Sequence, residues 1–559
     1  MPYRFLVPVA LLAAAVAPMA GQTAGGSGHV RQLLETVAKN IGADTLTTLQ
    51  YSGGGMVAAV GQAFNPSEGF PPFTASNYSR VIDYAAMASR EEYVRQLPVH
   101  GRPFGALLHA GGETGNESSP PGNRGGGQQA VFVKPVQMRL LVNGAFAWNI
   151  QGEGAPAVRQ FEYLGGADAG ELRQLEIILT PHGFVKAALA QGANPELVRG
   201  NIVTFRALGK YTVTGTIGPD HLVTVVRTWV PSPVVGDMLV ESRYTEYQTY
   251  GRVKFPRYIH SHQGDLWVLG SGGHDSHQYR ITSVAANVEI PAGTLAVPPA
   301  VQAAQPPPVR AESEPLATGV WLIGGSGAHS VLVEFRDFAA IVEAPGNDAR
   351  SQAVIAEVKR LVPGKPIRYV VNTHAHWDHA GGLRGYVAEG ATIVTHEENV
   401  PFYRTAMFDR SSWTLMPDTL AKLRAVMPIQ PQFVGVDRRY LLTDRQWGTS
   451  SAVGSRVLEL YHLWGSPPSS HNEWNLVAYL PAEGILINAD LAGAPPEGPS
   501  PAQPAEGHLF LNGLIRTNRL NVVRHVPIHG RPYSHEAFVK YVGDRVPYSS
   551  VPAPPTGTQ

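Results

Sequence analysis

Hydrophobic and polar residues follow a strand-like pattern through most of the N-terminal half of the chain. The runs NIVTFRAL, KYTVTGTIG, HLVTVVRTWV and MLVESRYTEYQTYG follow one another with turn residues between them. This pattern favours an antiparallel meander with one buried face. The only stretch with convincing helical spacing in this half is ELRQLEIILTPHGFVKAALAQG, and Pro181 is expected to interrupt that helix.

The C-terminal half shows a different pattern, in which strands and helices alternate. The segments GVWLIGG and HSVLVEF predict a hairpin, and AAIVEAP predicts a further strand. SQAVIAEVKRLV has helical spacing, IRYVVNT reads as a strand, GGLRGYVAEG as a short helix, and ATIVTH as another strand. Such alternation is typical of a layered α/β domain.

The length of the chain indicates more than one domain, because 559 residues exceed what one hydrophobic core usually supports. The segment 296–316 is rich in Pro and Ala and predicts an extended linker. It would join a β-rich domain at 28–295, of unassigned role, to an α/β domain at 317–546. Residues 547–559 are expected to form a disordered tail.

The N-terminus has the features of an export signal. Arg4 precedes a short apolar stretch, and small residues follow it, so residues 1–24 are predicted to be a secretory signal peptide. An uncleaved membrane anchor is the alternative. The expected location is the periplasm or the extracellular space, with no later segment apolar enough to form a stable membrane span.

Composition narrows the chemistry. Lys and Arg number 44, as do Asp and Glu together, so no basic surface is expected to bind nucleic acid, and the expected partner is a small-molecule substrate. The chain contains no cysteine. Disulfides and thiolate ligands are therefore excluded, and any metal must be held by nitrogen and oxygen atoms.

One stretch, NTHAHWDHAGG at residues 372–382, concentrates groups that bind metals. In extended chain, His374 and His376 project to the same side, whereas Asp378 and His379 follow at the start of a helix. Neutral imidazoles and a carboxylate suit zinc, and they also suit iron or manganese. Two of these ligands face one way and the other two face another way. This arrangement fits half of a two-metal site better than the closed tetrahedral coordination of a single metal.

The segment HAHWDHAGG matches the HxHxDH signature of the metallo-β-lactamase superfamily and is most similar to the corresponding segment of its glyoxalase II-like and other hydrolytic members. The resemblance runs from about Gly319 to Tyr541, under half of the chain. It implies a C-terminal αββα sandwich, preceded here by a mostly antiparallel β domain. The expected fold class is therefore α+β with an α/β sandwich.

The resemblance also implies ligands downstream of the motif. His471 precedes an apolar strand, Asp490 ends the next strand, and His529 precedes Gly530, although Ile528 replaces a glycine of the family's pattern. The implied first metal set is His374, His376 and His471. The implied second set is Asp378, His379 and His529, with Asp490 bridging both metals.

The activity implied by this set is that of a zinc hydrolase. Two zinc ions about 3.5–4 Å apart would share a bridging hydroxide that cleaves an ester, thioester, lactone or amide bond. Asp378 would bind the second metal and orient the hydroxide. Because cysteine-free β-lactamases of the family generally lack an aspartate at this position, the presence of Asp490 favours thioesterase-, lactonase- or phosphodiesterase-like members over β-lactamases.

Two alternatives remain open. One is a mononuclear iron enzyme similar to the persulfide dioxygenases, which share the ligand pattern. The other is a periplasmic protein that binds an apolar ligand through its N-terminal domain, whose order of elements faintly resembles the half-barrels of lipoprotein carriers.

Substrate contacts are unassigned by the sequence. The segment 400–423 either covers the site as a lid, with Phe402, Tyr403 and Trp413 lining a pocket, or packs these aromatic residues into its own core, which is favoured. Trp377 and Trp474 are expected to border the metals as packing walls.

A second histidine group lies in the N-terminal half, at His260, His262, His274 and His277. A polar sheet surface is favoured there over a metal site, because no DH pair or downstream ligand set accompanies it.

Overall fold

The computed structural model describes residues 27–96, 135–264, 274–444, 456–463, 471–496 and 504–545. The predicted signal peptide at 1–24 and the predicted tail at 547–559 lie outside the described residues. No helix within the described ranges is both long enough and apolar enough to cross a membrane.

The N-terminal part is dominated by antiparallel strands, as predicted. Its strands are β1 (Thr48–Ala58), β2 (Pro72–Asp83), β3 (Ala88–Gln96), β4 (Val136–Asn143), β5 (Phe146–Gln151), β6 (Val158–Gln160), β7 (Glu162–Tyr163), β8 (Ala167–Asp168), β9 (Glu196–Arg199), β10 (Ile202–Ala207), β11 (Tyr211–Ile217), β12 (Val223–Ser232), β13 (Gly236–Tyr250), β14 (Val253–Gln263) and β15 (Asp275–Ala286). Thirteen of them form one sheet in the order β6-β5-β4-β3-β2-β1-β15-β14-β13-β12-β11-β10-β9. β7 and β8 pair separately.

Two consecutive helices, α2 (Ala169–Leu179) and α3 (Pro181–Leu189), occupy the stretch that has helical spacing. Thr180 separates them, and its hydroxyl accepts a hydrogen bond from the Gly183 N–H at 3.1 Å. Pro181 takes the first position of α3, where a missing N–H costs nothing. The predicted interruption at Pro181 is confirmed.

An additional helix, α1 (Ser27–Ile41), was not predicted. Its buried face carries Val30, Leu34, Val37 and Ile41, which recur at three- and four-residue intervals typical of an amphipathic helix. The helix packs on α3 and on β14.

The segment 296–316, predicted to be an extended linker, contains regular structure at both ends. The short helix α4 (Pro299–Ala303) lies near its start, and the strand β16 (Glu312–Ala317) overlaps its end. β16 pairs with the strand that begins at Val320, so the C-terminal sheet starts inside the expected linker.

The C-terminal part has the predicted αββα architecture. Its remaining strands are β17 (Val320–Gly324), β18 (Ser330–Glu334), β19 (Ala339–Val342), β20 (Ile367–Val371), β21 (Thr392–His396), β22 (Phe433–Val436), β23 (Arg439–Thr443), β24 (Val457–His462), β25 (Leu476–Leu480), β26 (Ile485–Asn488), β27 (Arg524–Pro527) and β28 (Tyr533–Ser534). β16 to β22 form a mixed sheet of seven strands, and β23 to β28 form a sheet of six. Apolar residues from both sheets fill the space between them, such as Val331 and Ala340 facing Leu460 and Ile487.

Helices cover the outer faces of this sandwich. The C-terminal helices are α5 (Asp348–Leu361), α6 (Trp377–Ala380), α7 (Leu383–Ala388), α8 (Val400–Phe402), α9 (Thr419–Arg424), α10 (Glu506–Thr517) and α11 (His535–Val542), with a 3-10 turn at Glu397–Asn399 and a π-helical turn at Tyr403–Asp409. α5 and α7 pack on the seven-stranded sheet, whereas α10 and α11 pack on the six-stranded sheet.

The N-terminal sheet and the C-terminal helices share one continuous hydrophobic core. The largest cluster of buried apolar side chains contains Leu34 and Tyr244 from the N-terminal part together with Trp377 and Tyr386 from the C-terminal part. Burial of apolar surface between the two parts stabilises their contact. That contact lies beside the HxHxDH motif, because Trp377 is part of the motif.

Candidate metal centre

The predicted ligands lie on loops that follow or precede buried strands. His374 and His376 come directly after β20, and Asp378 and His379 lie in α6. The other three predicted ligands lie in the segment before β25, directly after β26 and directly after β27, and are His471, Asp490 and His529. The backbone N–H of Leu476, the first residue of β25, donates to the Thr373 carbonyl at 2.9 Å, which joins β25 to the segment after β20.

Four of the predicted ligands form a first buried group. The ligand atoms of His374, His376, His471 and Asp490 all lie within 4.8 Å of one another. His471 Nε2 is 3.0 Å from Asp490 Oδ2, and His374 Nε2 is 3.6 Å from the same oxygen. Three imidazoles and one carboxylate suit a tetrahedral zinc ion.

A second group shares Asp490 with the first. It contains Asp378, His379, Asp490 and His529, again with ligand atoms within 4.8 Å of one another. His379 Nε2 lies 2.9 Å from Asp490 Oδ2, and His529 Nε2 lies 3.1 Å from Asp490 Oδ1. The structure therefore brings all seven predicted ligands together in two groups, while their role as ligands remains a prediction.

Asp490 has an unusual backbone conformation, with φ of 62°. The left-handed region is uncommon for residues other than glycine, and such positions cluster at functional sites. The carboxylate that both groups share is therefore held by a backbone turn at the end of β26.

Hydrogen bonds fix which nitrogen of each imidazole faces the centre. His376 Nε2 donates to the Ala63 carbonyl at 3.1 Å, because a carbonyl can only accept, so Nδ1 carries the lone pair. His379 Nδ1 donates to Glu343 Oε2 at 2.7 Å, which leaves Nε2 for the centre. Outer hydrogen bonds of this kind orient metal-binding histidines.

Two buried ring nitrogens fit a metal better than any protein partner. His374 Nε2 and His376 Nδ1 make no hydrogen bond with any residue that the structure describes. A buried polar atom without a partner is costly. Both atoms belong to the first group, so a divalent ion bound there would satisfy them.

Electrostatics favours the ligand forms of His374, His376 and Asp490, whereas the pKa of His379 is raised well above its ordinary value, because Asp490, Asp378 and Glu343 outweigh the effect of burial. Burial, followed by the neighbouring histidines, lowers the pKa of His374 and His376 well below the ordinary value. Burial alone would raise the pKa of Asp490, but the adjacent histidines, His379 first, hold it well below its usual range. Neutral imidazoles and an ionised carboxylate are the forms that bind metals.

Glu343 is a site residue that the sequence reasoning missed. It follows β19, is fully buried and has φ of 73°. Its carboxylate accepts hydrogen bonds from His379 Nδ1 and from the Thr373 backbone N–H, the latter at 2.6 Å. The one feature of the sequence that could have identified Glu343 is its position directly after the apolar run AAIV.

A second missed feature is a loop of the N-terminal part. Residues 59–71, here called the β1–β2 loop, connect β1 to β2 and reach the HxHxDH motif. Gln62 Nε2 donates to Asp378 Oδ1 at 2.9 Å, and the Trp377 N–H donates to the Gly61 carbonyl at 3.1 Å. Nothing in the sequence links this loop to residues so far downstream.

The aromatic residues of segment 400–423 pack into the protein core. Tyr403 is fully buried, and its hydroxyl donates to the side chain of Asn372 and approaches the His374 carbonyl at 3.2 Å. Phe402 packs against the same core, and the Trp413 ring lies 3.6 Å from the Arg384 guanidinium carbon. These contacts exclude a separate core within the segment for Tyr403 and Trp413, because their partners Asn372, His374 and Arg384 lie outside it.

The two tryptophans beside the ligands act as walls. Trp377 is 4% exposed, and Phe70 meets its ring edge-on at a centroid distance of 5.6 Å. The Trp474 ring stacks on His396 at 4.8 Å. Both contacts are packing contacts, and a position of the two rings beside bound metals remains a prediction.

The second histidine group lies on neighbouring strands of the N-terminal sheet. His260 and His262 on β14 lie 2.7 Å and 3.3 Å from Asp275 Oδ1 on β15, whereas His277 stacks on Tyr279. The amide of Gln278 donates to Asp275 Oδ2 at 2.7 Å, whereas the ligand atoms of His260, His262 and Asp275 lie within 4.8 Å of one another, close enough to hold an ion. The polar sheet surface remains the prediction here.

Comparison with known proteins identifies the C-terminal part. The sequence pattern of the family described as the metallo-beta-lactamase superfamily matches residues 323–553. No curated protein matches the chain. Similar solved structures include the metallo-beta-lactamase FIM-1 from Pseudomonas aeruginosa in its mono-zinc form, at 21% identity over 42% of this chain and 94% of that chain with a TM-score of 0.28. A second example is a metallo-beta-lactamase from Pontibacter korlensis, at 20% identity over 41% of this chain and 96% of that chain with a TM-score of 0.28. A third is a metallo-beta-lactamase from Hirschia baltica, at 20% identity over 42% of this chain and 96% of that chain with a TM-score of 0.28. Residues 323–553 of this chain therefore form a domain of the metallo-beta-lactamase superfamily.

Proposed function

We propose that the protein is a metal-dependent hydrolase that cleaves an ester, thioester, lactone or amide bond of a small substrate. The observation that carries the proposal is the position of Asp490, whose two carboxylate oxygens face both ligand groups. A carboxylate shared between two sets of imidazoles suits a two-metal site. The superfamily match supports metal-dependent hydrolase chemistry at this position.

Seven residues would hold two zinc ions in this proposal: His374, His376 and His471 for the first, and Asp378, His379 and His529 for the second, with Asp490 between them. Zinc accepts nitrogen and oxygen ligands, and the chain has no cysteine to offer. Two divalent ions bound here would supply an acidified water and polarise the oxygen of the scissile bond.

Asp378 is the side chain that we assign to catalysis. Its Oδ1 is held by Gln62, whereas Oδ2 faces His379 Nε2 at 3.4 Å and His529 Nε2 at 3.8 Å. Its side chain is 23% exposed, more than those of Asp490 and His379. A carboxylate at this point would hold the second ion through Oδ2 and orient the attacking water.

We also propose that the protein is exported, on the basis of the apolar stretch behind Arg4. N-terminal sequencing of protein purified from the periplasm or medium tests this. A mature chain beginning near residue 25 is the expected result, and a cytoplasmic protein that retains Met1 would contradict it.

A cleft in the N-terminal part is relevant to the alternative of an apolar-ligand protein. A cleft of about 440 Å³ lies between α1 and α3. Besides apolar residues, its walls include the charged side chains of Glu35, Lys39, Asp44 and Lys186. Charged walls suit an apolar ligand poorly, so we favour the hydrolase.

The metal content of the purified protein, compared with that of Asp490→Ala, tests the proposal. We expect two zinc ions per chain in the wild type and less than one in the variant. Asp337→Ala, at an exposed position, is the matched control and should keep both ions. Hydrolysis of ester, thioester, lactone and β-lactam substrates by the zinc protein then identifies the bond.

Other outcomes separate the alternatives. One iron ion per chain would favour the persulfide dioxygenase-like alternative. A wild-type protein that binds no metal would contradict the hydrolase proposal and direct attention to the N-terminal cleft.

A further inference from the structure

The backbone of the β1–β2 loop contacts two of the three chain segments that carry the first ligand group. The Gly61 and Ala63 carbonyls accept hydrogen bonds from the Trp377 N–H and from His376 Nε2, each at 3.1 Å. The Phe64 carbonyl accepts from the Glu473 N–H at 2.9 Å. The loop therefore bridges the HxHxDH motif and the segment that contains His471.

Side chains strengthen this bridge. Asn472 Nδ2 donates to the Ala63 carbonyl at 3.2 Å, and Asn65 Nδ2 donates to Glu473 Oε2 at 2.7 Å. Asn65 is 6% exposed, and Asn472 is fully buried. Buried and satisfied hydrogen bonds of this kind fix one arrangement of the chain.

Gly61 sets how closely the loop approaches the motif. Its φ is +83°, and a Cβ atom placed on it would lie 2.7 Å from the Trp377 ring. Phe70, at the far end of the loop, packs edge-on against the same ring. Only glycine has both the conformation and the space required at this position, so the close approach of the loop to Trp377 depends on Gly61.

Gln62 contacts the residue assigned to catalysis. It is 3% exposed, and its amide nitrogen donates to Asp378 Oδ1 at 2.9 Å. Because an ionised carboxylate can only accept hydrogen bonds, the amide orientation is fixed. The contact leaves Oδ2 as the oxygen that faces His379 and His529.

We propose that the β1–β2 loop is a structural part of the metal centre and that Gln62 is a positioning residue that fixes the rotamer of Asp378. The inference rests on the proposed function, because it assigns Asp378 Oδ2 to the second metal set. It gives the N-terminal domain a role in the chemistry of the C-terminal domain. Without the Gln62 contact, Asp378 can rotate, and the second group loses one correctly placed oxygen.

The test is cobalt(II) titration of the metal-free full-length protein, followed by visible absorption, for the wild type and for Gln62→Met. Methionine keeps the length of glutamine and removes the donor. We expect the first ion to bind with unchanged affinity and the second to bind about 10–100-fold more weakly, the usual effect of losing an outer hydrogen bond to a ligand. The visible spectrum of the second ion should also change.

The matched control is Gln160→Met. Gln160 is a buried glutamine of the N-terminal part, 7% exposed, whose amide donates to the Val158 carbonyl. Both cobalt affinities should equal those of the wild type. Circular dichroism and thermal unfolding of every variant verify that the fold is retained.

Gln62→Asn is the second variant, in case the methionine disrupts folding. Its amide is one methylene too short to reach Asp378, so the same weakened second site is expected. Wild-type affinity and spectrum in a folded Gln62 variant would overturn the inference. Absence of a second cobalt ion from the wild type would overturn the proposed function together with the inference, and the wild-type titration alone reveals that case.

Discussion

The Oε2 atom of Glu343 lies 2.7 Å from Nδ1 of His379. The other oxygen of the same carboxylate accepts from the Thr373 N–H at 2.6 Å. The pair places a proton of His379 on Nδ1, and Nε2 therefore faces Asp490 and His529. A single buried glutamate thus determines how the second ligand group presents its imidazole.

Replacement of this glutamate should weaken one of the two metal sites. In Glu343→Gln, an amide NH₂ competes for the position of an acceptor, so the hydrogen bond to His379 weakens. We expect the affinity of the second ion to fall by about 10–100-fold, with a smaller effect on the first ion. Equilibrium dialysis with zinc and a competing chelator measures both constants. Glu314→Gln, at an exposed position, serves as the control, and equal affinities in all three proteins would contradict the assigned role.

Removal of metal should destabilise the C-terminal sandwich. The predicted ligands join the ends of β20, β26 and β27, so ions that bind only the folded state stabilise it by mass action. We expect EDTA to lower the Tm of the wild type but not that of Asp490→Ala. Differential scanning calorimetry with and without the chelator checks this prediction. A wild-type Tm that is the same in both conditions would contradict it.

The buried ion pair between Arg384 and Asp418 should anchor the segment 400–424. Arg384 is 1% exposed, and its Nη2 lies 3.0 Å from Asp418 Oδ1. Arg384→Met leaves a buried carboxylate without its partner, so we expect a loss of about 3–5 kcal/mol in the free energy of unfolding.

An exposed pair provides the comparison. Arg439 bonds Glu459 at 2.9 Å, with 53% of its side chain exposed, and Arg439→Met should cost less than about 1 kcal/mol. Urea denaturation followed by tryptophan fluorescence measures both losses. Equal losses in the two variants would exclude a special role for the buried pair.

His182 should make the N-terminal part less stable in acid. Burial lowers the pKa of His182 to about 4, and this effect outweighs the hydrogen bond that the ring donates to the Ile41 carbonyl at 3.0 Å, which raises the pKa. In the unfolded chain the residue titrates near pH 6.5. Between these values the unfolded state binds more protons, so this contribution is present above about pH 6.5 and is lost as the pH falls toward 4.

The variant His182→Gln keeps a donor for the Ile41 carbonyl without a titrating ring. Relative to this variant, the wild type should lose about 3 kcal/mol of unfolding free energy between pH 7 and pH 4. Urea denaturation at several pH values measures the difference. His29→Gln, at an exposed position of α1, should follow the wild type, and parallel pH profiles for all three proteins would refute the prediction.

The residues that the sequence predicted are those that carry a local pattern. The spacing of His374, His376, Asp378 and His379 is visible within one segment, and family resemblance added His471, Asp490 and His529. The alternation of apolar strands and amphipathic helices predicted a layered α/β domain, the family resemblance implied its αββα form, and the prediction of that fold is confirmed. Helix α1 had the same kind of signal in Val30, Leu34, Val37 and Ile41 but was not recognised.

The unpredicted part of the site depends on contacts across the chain. Glu343 stands out only as one acidic residue after an apolar strand, and its partner His379 is 36 positions away. Gln62 has no local signal at all, because its role exists only once a loop of one domain packs on the motif of another. The periodicity of apolar residues indicates which face of a helix or strand is buried. It does not indicate which other element packs against that face.

The separation of 316 positions between Gln62 and Asp378 determines the order in which the molecule can be assembled. The N-terminal sheet needs its last strand to pair with its first, since Leu49 pairs with Ala286, and such non-local contacts form slowly. A metal centre at this position would need that sheet and both sheets of the sandwich, so we expect it to form after they have folded. If the chain is exported unfolded, the ion it receives is set by the metal supply of its destination and not by that of the cytoplasm.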